Sequence, residues 1–237
     1  MNTLCRTTEV KVMDSNTLFD ACNYCPFASE CCANKGSLKA LPKRVLTFDR
    51  GDTLIKQGER YDGFYVMCQG SAKAMLKEEA GSDRILEFYH PRDLIGLSGF
   101  SNAHYQESVK VMTYTKVLKI ERNDFEQALH ASPVLASEML SVISERLVKR
   151  QHHYSAINTM EAEARLIHFL YEEYSGTYPE QHTFELSMSR LDIANYLGIA
   201  VETLSRLMKR LSNKGIIETN HRTIAFRSPA DKVLFDA

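Results

Sequence analysis

The chain has 237 residues, 44% hydrophobic and 25% charged, with a formal net charge of −1. This balance belongs to a globular protein of one large domain or two ordinary ones and excludes an intrinsically disordered chain. No apolar run approaches the ~18 residues of a membrane span, and the opening MNTLCRTTEVKVMD lacks the apolar core of a signal peptide. The expectation is a cytoplasmic protein with no membrane partner, whose thiols stay reduced.

The first 36 residues carry little hydrophobic pattern but five of the six cysteines: Cys5, Cys22, Cys25, Cys31 and Cys32. Cys22, Cys25 and Cys31 form a C-x2-C-x5-C run. Two thiolates at C-x2-C spacing can reach one metal centre without backbone strain, and a third five residues on can close around it. Soft thiolates suit an iron–sulfur cluster or zinc. A thiol–disulfide redox switch and simple packing are the other readings of the same residues. Residues 1–36 thus read as a cysteine-rich sensor segment.

From residue 37 to about 130 the hydrophobic period is two, and seven of the eleven glycines fall between Gly51 and Gly99. Strands are predicted at 45–48, 53–56, 63–68, 72–76, 84–89, 94–96, 107–114 and 116–120. Short strands at this spacing predict a sandwich, barrel or jelly roll. Cys68 falls on the third strand.

A long helix is predicted after Pro133, lasting to about residue 158. Ala136, Leu140, Ile143, Leu147, Arg150, Tyr154 and Ile157 recur alternately four and three apart, the a/d pattern of a paired helix, so the segment 131–158 is expected to form a homodimer seam. Packing of this helix on its own β domain is the competing reading. Arg150 would face its symmetry mate, where like charges weaken pairing unless they splay. His152 and His153, adjacent on a helix, point to different faces and read as solvated residues rather than metal ligands.

Residues 159–237 are expected to form a winged helix-turn-helix. A helix at 162–174 places Leu166, Ile167, Leu170 and Tyr171 on one face, and a short strand is expected at 184–186. Ser189 and Asp192 form a capping-box pair for a helix marked by Leu191, Ile193, Ala194 and Leu197. Gly198 turns the chain into a second helix with Val201, Leu204, Leu207, Met208 and Leu211 on its apolar side. Lys214 and Gly215 stop it, and Ile216–Ile217 can pair with 224–226 as a two-stranded wing. The second helix offers Glu202, Ser205 and Arg206 within one turn, groups able to read base edges in a major groove. Between Ser187 and Arg227 there are seven Lys or Arg against three Asp or Glu, an excess suited to phosphate contacts. No Gly-rich phosphate loop, H-E-x-x-H or nucleophile elbow is present, so an enzyme is not expected.

The order β-roll, dimer helix, winged helix-turn-helix resembles the CRP/FNR family of bacterial transcription regulators over nearly the whole chain. The fold class implied is α+β: a cyclic-nucleotide-binding-like β-roll, a long dimerisation helix and a C-terminal winged helix-turn-helix. Val201-Glu202-Thr203-Leu204-Ser205-Arg206 resembles the E-x-x-S-R reading motif of the FNR (fumarate and nitrate reductase regulator) branch, and Cys22, Cys25 and Cys31 have the spacing with which that branch binds an oxygen-labile [4Fe–4S] cluster. The run Gly96-Leu97-Ser98-Gly99 lacks the family's phosphate-binding Gly-Glu…Arg-Ser/Thr pattern, so no cyclic nucleotide is expected. Two departures stand out. The fourth cluster cysteine belongs on the last strand of the roll, where this chain has Leu118; Cys68 on the neighbouring strand is the favoured substitute, followed by Cys32 or Cys5. Ala200 replaces a Thr cap the family often has.

The resemblance further implies palindromic double-stranded DNA with TTGAT-like half-sites as a partner. Arg206 would read guanine, Glu202 its partner cytosine and Ser205 a thymine. Arg190, Lys209, Lys214 and Arg222 would hold phosphates. RNA polymerase would meet the loop 77–84. A dithiol switch, haem or small ligand in the roll, or a structural zinc in the N-terminal arm, are the alternative signals.

Overall fold

The computed structural model describes residues 44–77, 83–177 and 183–227. Cys5, Cys22, Cys25, Cys31 and Cys32, and the centre of the 77–84 loop, lie outside the described residues. The chain divides into two compact units, Met1–Arg146 and Leu147–Ala237.

The first unit is a roll of two four-stranded antiparallel sheets. Its strands are β1 (Arg44–Phe48), β2 (Thr53–Ile55), β3 (Gly63–Gln69), β4 (Ala72–Lys77), β5 (Asp83–Tyr89), β6 (Leu94–Ile95), β7 (Ser108–Val111) and β8 (Thr115–Glu121), with a short helix α1 (Gly99–Asn102) before β7. The sheet orders are β1-β8-β3-β6 and β2-β7-β4-β5. Between the sheets Ile55, Tyr65, Met67, Ala74, Tyr89, Val109 and Val117 interdigitate, each strand presenting every second side chain inward. The other face of the first sheet is covered too: Val45, Phe64, Val66, Cys68, Leu118 and Ile120 pack against helical residues Phe125, Ala128, Leu135 and Met139. This double coverage explains why β3 is buried continuously from Gly63 to Cys68 rather than on alternate residues.

Two differences from the sequence expectation have local causes. The strand expected at 107–114 ends at Val111, because Thr113 leaves the ladder to receive the Ser71 amide on its Oγ1 at 2.9 Å. A helix, α2 (Arg122–Ala131), follows β8; only Phe125 and Ala128 of it are buried and no side chain caps it, so it carried neither a start signal nor a full apolar stripe. At the β3–β4 turn Gly70 adopts φ +93°, and a Cβ there would lie 2.4 Å from both the Tyr114 carbonyl and Thr115 Oγ1. Only glycine fits.

Helix α3 (Pro133–Thr159) begins with proline in the first turn, where the missing amide needs no partner. Leu135 and Met139 are buried and Val142 packs beside them. The second unit adds α4 (Ala162–Thr177), β9 (Thr183–Glu185), α5 (Arg190–Leu197), α6 (Val201–Asn213), β10 (Ile217–Asn220) and β11 (Thr223–Phe226). The strands form a sheet ordered β10-β11-β9, so the wing has a third strand that the hairpin expectation lacked. In α4 the buried residues are Leu166, Phe169 and Leu170, Phe169 taking the place expected for Ile167 and Tyr171, which are half-buried.

Candidate nucleic-acid interface

The helix-turn-helix is set by local chemistry. Ser189 Oγ accepts the Asp192 amide at 3.1 Å, and Asp192 Oδ2 accepts the Ser189 amide at 3.3 Å. Both donors at the start of α5 are thereby satisfied. Gly198 ends α5 in the left-handed conformation at φ +66°, and the Ile199 amide returns to the Ala194 carbonyl at 3.0 Å. Ile193, Ala194, Tyr196 and Leu197 are buried. Leu191 is not: at 67% exposure it lies outside the core in which the sequence pattern placed it, because the helix buries the 193-194-197 stripe and turns position 191 outward. Tyr196 joins the core instead, stacked on His153 at 3.9 Å with the rings 10° apart. His153 is therefore a packing residue, which corrects its reading as solvated; His152 is exposed as expected.

Helix α6 separates its faces cleanly. Leu204, Leu207, Met208 and Leu211 are buried, while Glu202, Ser205, Arg206, Lys209 and Arg210 are exposed. Residues three and four apart share one helical stripe, so Glu202, Ser205, Arg206 and Lys209 form a continuous polar edge. Ser205 Oγ donates to the Val201 carbonyl at 3.0 Å, and Arg206 Nη2 donates to Thr203 Oγ1 at 3.3 Å. The helix starts at Ala200 without a side-chain cap, leaving the first turn's amides unpaired by it.

The four expected phosphate contacts are not equally presented. Lys209 is exposed, and Arg222 is half-buried at the wing turn beside His221, which has φ +52°. Lys214 is engaged: its Nζ and Arg210 Nη1 bind the two carboxylate oxygens of Glu163 on α4. Hydrogen bonds from Lys214 and then Arg210 hold the Glu163 carboxyl below the usual glutamate range. Arg190 is turned inward: it is half-buried, its Nη1 is enclosed without a hydrogen-bond partner among the described residues, and burial lowers its pKa. Glu163 was missed by sequence reasoning because its partners lie 47 and 51 residues away.

On α3 the expected seam splits. Leu140, Ile143, Leu147, Arg150 and Tyr154 are exposed, whereas Ala136 and Ile157 are half-buried. Leu140 is 69% exposed, Leu147 56% and Tyr154 73%, a line of large apolar groups open to solvent. Cys68 lies one strand from Leu118, as the resemblance implied: β3 pairs β8 with a register shift between Met67 and Gln69, and both side chains join one apolar cluster. The thiol is 6% exposed and points to the Val66 carbonyl at 3.7 Å. Among the described residues no group of three or more His, Cys, Asp or Glu is placed to hold a metal ion, and no helix is long and apolar enough to cross a membrane.

Comparison with known proteins gives two family matches. Residues 45–132 match the cyclic nucleotide-binding domain and residues 164–231 the Crp-like helix-turn-helix domain. The chain is 27% identical over 214 residues to the transcriptional activator protein Anr of Pseudomonas protegens, covering 88% of each. It is 27% identical over 191 residues to the fumarate and nitrate reduction regulatory protein of Salmonella typhi, covering 78% of this chain and 76% of that one. Among solved structures, FixK2 from Bradyrhizobium japonicum superposes with a TM-score of 0.77 at 23% identity, over 83% of this chain and 98% of that chain; at this identity the likeness is one of fold.

Proposed function

The chain belongs to the CRP/FNR family of DNA-binding transcription regulators, and from that premise we propose that it is a homodimeric, redox-responsive regulator of a TTGAT-like palindrome. The observation that carries the reading is the exposed edge Glu202-Ser205-Arg206 on α6, behind a capped α5 and beside a basic wing. Arg206 offers a fork for guanine O6 and N7, Glu202 an acceptor for the cytosine amino group, and Ser205 contact with a thymine. Lys209 and Arg222 hold phosphates directly; Lys214 and Arg190 do so after leaving Glu163 and the interior, respectively. Two α6 helices about 34 Å apart enter successive major grooves.

The exposed line on α3 supplies the seam. Two copies bury Leu140, Ile143, Leu147 and Tyr154 against each other and bring two Arg150 guanidinium groups close, a repulsion that leaves pairing finely balanced. The cysteine segment tips that balance. Cys22, Cys25 and Cys31 supply soft thiolates whose spacing fits an iron–sulfur cluster, and such a cluster provides an oxygen- and nitric-oxide-reactive centre. For the fourth ligand, Cys68 must exchange its apolar packing for an iron bond, while Cys32 and Cys5 lie on the same segment as the other three. The names of relatives such as the anaerobic regulatory protein of Haemophilus influenzae agree with a redox signal. Residues of the 77–84 loop are the surface offered to RNA polymerase, and the protein acts in the cytoplasm.

Arg206→Ala tests the reading head: binding should weaken by ~1–3 kcal/mol with preference relaxed at one base pair, and an unchanged preference refutes the assignment. Iron and acid-labile sulfide measured anaerobically on single Cys→Ser variants tests the sensor. Loss of both at Cys22, Cys25 and Cys31 supports it; a metal-free wild type, or one that binds zinc and is indifferent to air, refutes it.

A further inference from the structure

The roll encloses two carboxyl groups, Glu87 and Glu107. Glu87 stands on β5 in phase with the buried residue Tyr89. Across the sheet it faces Ala74, which in turn pairs with Val109; both are fully buried in the core between the sheets. Glu107, 3% exposed, precedes β7 in phase with Val109 and Val111, and its Oε1 has no hydrogen-bond partner among the described residues. A buried carboxylate is strongly unfavourable unless a cation and hydrogen bonds compensate it. Glu87 is paired with Arg146 of α3.

The Arg146 guanidinium is bound from four sides. Nη2 donates to Glu87 Oε2 at 2.8 Å and to Tyr89 Oη at 2.6 Å; Nη1 donates to the Leu94 carbonyl; and the group lies 5.1 Å from the centre of the Tyr89 ring. Side-chain exposure is 17% for Arg146 and 12% for Glu87. Burial works against the charge, but Tyr89 and Glu87 outweigh it and hold Arg146 above its ordinary pKa. A carboxylate, a phenol oxygen, a backbone carbonyl and an aromatic face are the set of groups that recognise a planar guanidinium and suit an ammonium less well. All four belong to β5 and β6. The arginine arrives on the face of α3 that continues Leu135, Met139 and Val142 in steps of four, three and four, and the next residue, Leu147, belongs to the exposed seam.

We propose that the roll carries a guanidinium seat built from Glu87, Tyr89 and the Leu94 carbonyl, occupied in cis by Arg146 as a tethered ligand. The free ligand class that fits the vacated seat is an alkylguanidinium, not an anionic nucleotide. The seat pins the middle of α3 to the roll between the seam residues Ile143 and Leu147.

The test is thermal unfolding, which does not depend on the DNA-binding reading. The full-length Arg146→Ala variant is expected to melt below wild type, and millimolar ethylguanidinium to raise its melting temperature saturably, by about 2–4 °C. Wild type, its seat filled, should show no rise, nor should the Arg146→Ala, Glu87→Gln double variant. Ethylammonium should be the weaker ligand. No saturable rise in the single variant, or an equal rise in the double variant, overturns the proposal. Arg146→Lys keeps a cation opposite Glu87 and so protects the fold if the alanine variant fails to fold. It should melt about 2–4 °C lower through loss of the forked contacts, and melting equal to wild type overturns the proposal as well.

Discussion

Replacing Leu140 and Leu147 together by alanine should leave the monomer intact and abolish the dimer. Both residues are mostly exposed on α3, at 69% and 56%, so alanine removes little packing within one chain and is a better helix former. Complete burial of a leucine is worth ~1.5–3 kcal/mol. At these exposures roughly 1–2 kcal/mol per leucine is still to be gained when a second copy covers it. Each substitution occurs twice in a symmetric dimer, so the pair removes about 4–8 kcal/mol, a weakening of the dimer constant on the order of 10³-fold or more. Sedimentation equilibrium measures this directly, with circular dichroism to show that the fold is retained. DNA affinity should fall with it, since a monomer engages one half-site. A dimer constant within tenfold of wild type would refute the seam, and with it the route by which the N-terminal segment is proposed to act on DNA binding.

Three further outcomes follow from individual contacts. Ser189→Ala opens the capping box of α5 and should destabilise the protein by about 1 kcal/mol, read as a melting temperature lower by about 2–4 °C; an unchanged value would mean that Asp192 alone holds the turn. Gly70→Ala drives a Cβ into the Tyr114 carbonyl and Thr115 Oγ1 and should cost about 1–3 kcal/mol in chemical denaturation, whereas Gly51→Ala, with nothing within 4 Å of its Cβ, bears only the strain of its positive φ. Glu163→Gln releases Arg210 and Lys214. Because the folded carboxyl titrates below its usual range, its contribution is present above the unfolded value of ~4.3 and is lost as the pH falls through the lowered folded value. The variant should therefore lose part of the stability change seen on acidification below about pH 5. DNA affinity should rise, since Lys214 no longer has to leave Glu163 before it meets a phosphate, and an unchanged affinity removes Lys214 from the phosphate contacts.

Much of the reading head was legible because its determinants are contiguous. Ser189 and Asp192 are three residues apart, Gly198 alone satisfies the left-handed turn, and the four buried residues of α6 recur at helical spacing, so the opposite stripe had to carry Glu202, Ser205 and Arg206. The family match rests on the same local signals. Leu191 shows their limit: an apolar residue one step off the stripe reads as core in a linear pattern and lies 67% exposed in the fold.

The sequence by itself determined the class of the protein, the order of its roll, long helix and helix-turn-helix, and the polar groups on the exposed edge of α6. Those follow from period, caps and glycines, which act over a few residues. Tertiary structure alone decided which of two helical lines on α3 meets the roll and which stays open, and that His153 stacks on Tyr196. It alone joined Arg146 to Glu87 across 59 residues and Lys214 to Glu163 across 51. Charged partners that far apart leave no periodic trace, because a charge is compatible with water almost anywhere along the chain; only burial makes its partner obligatory.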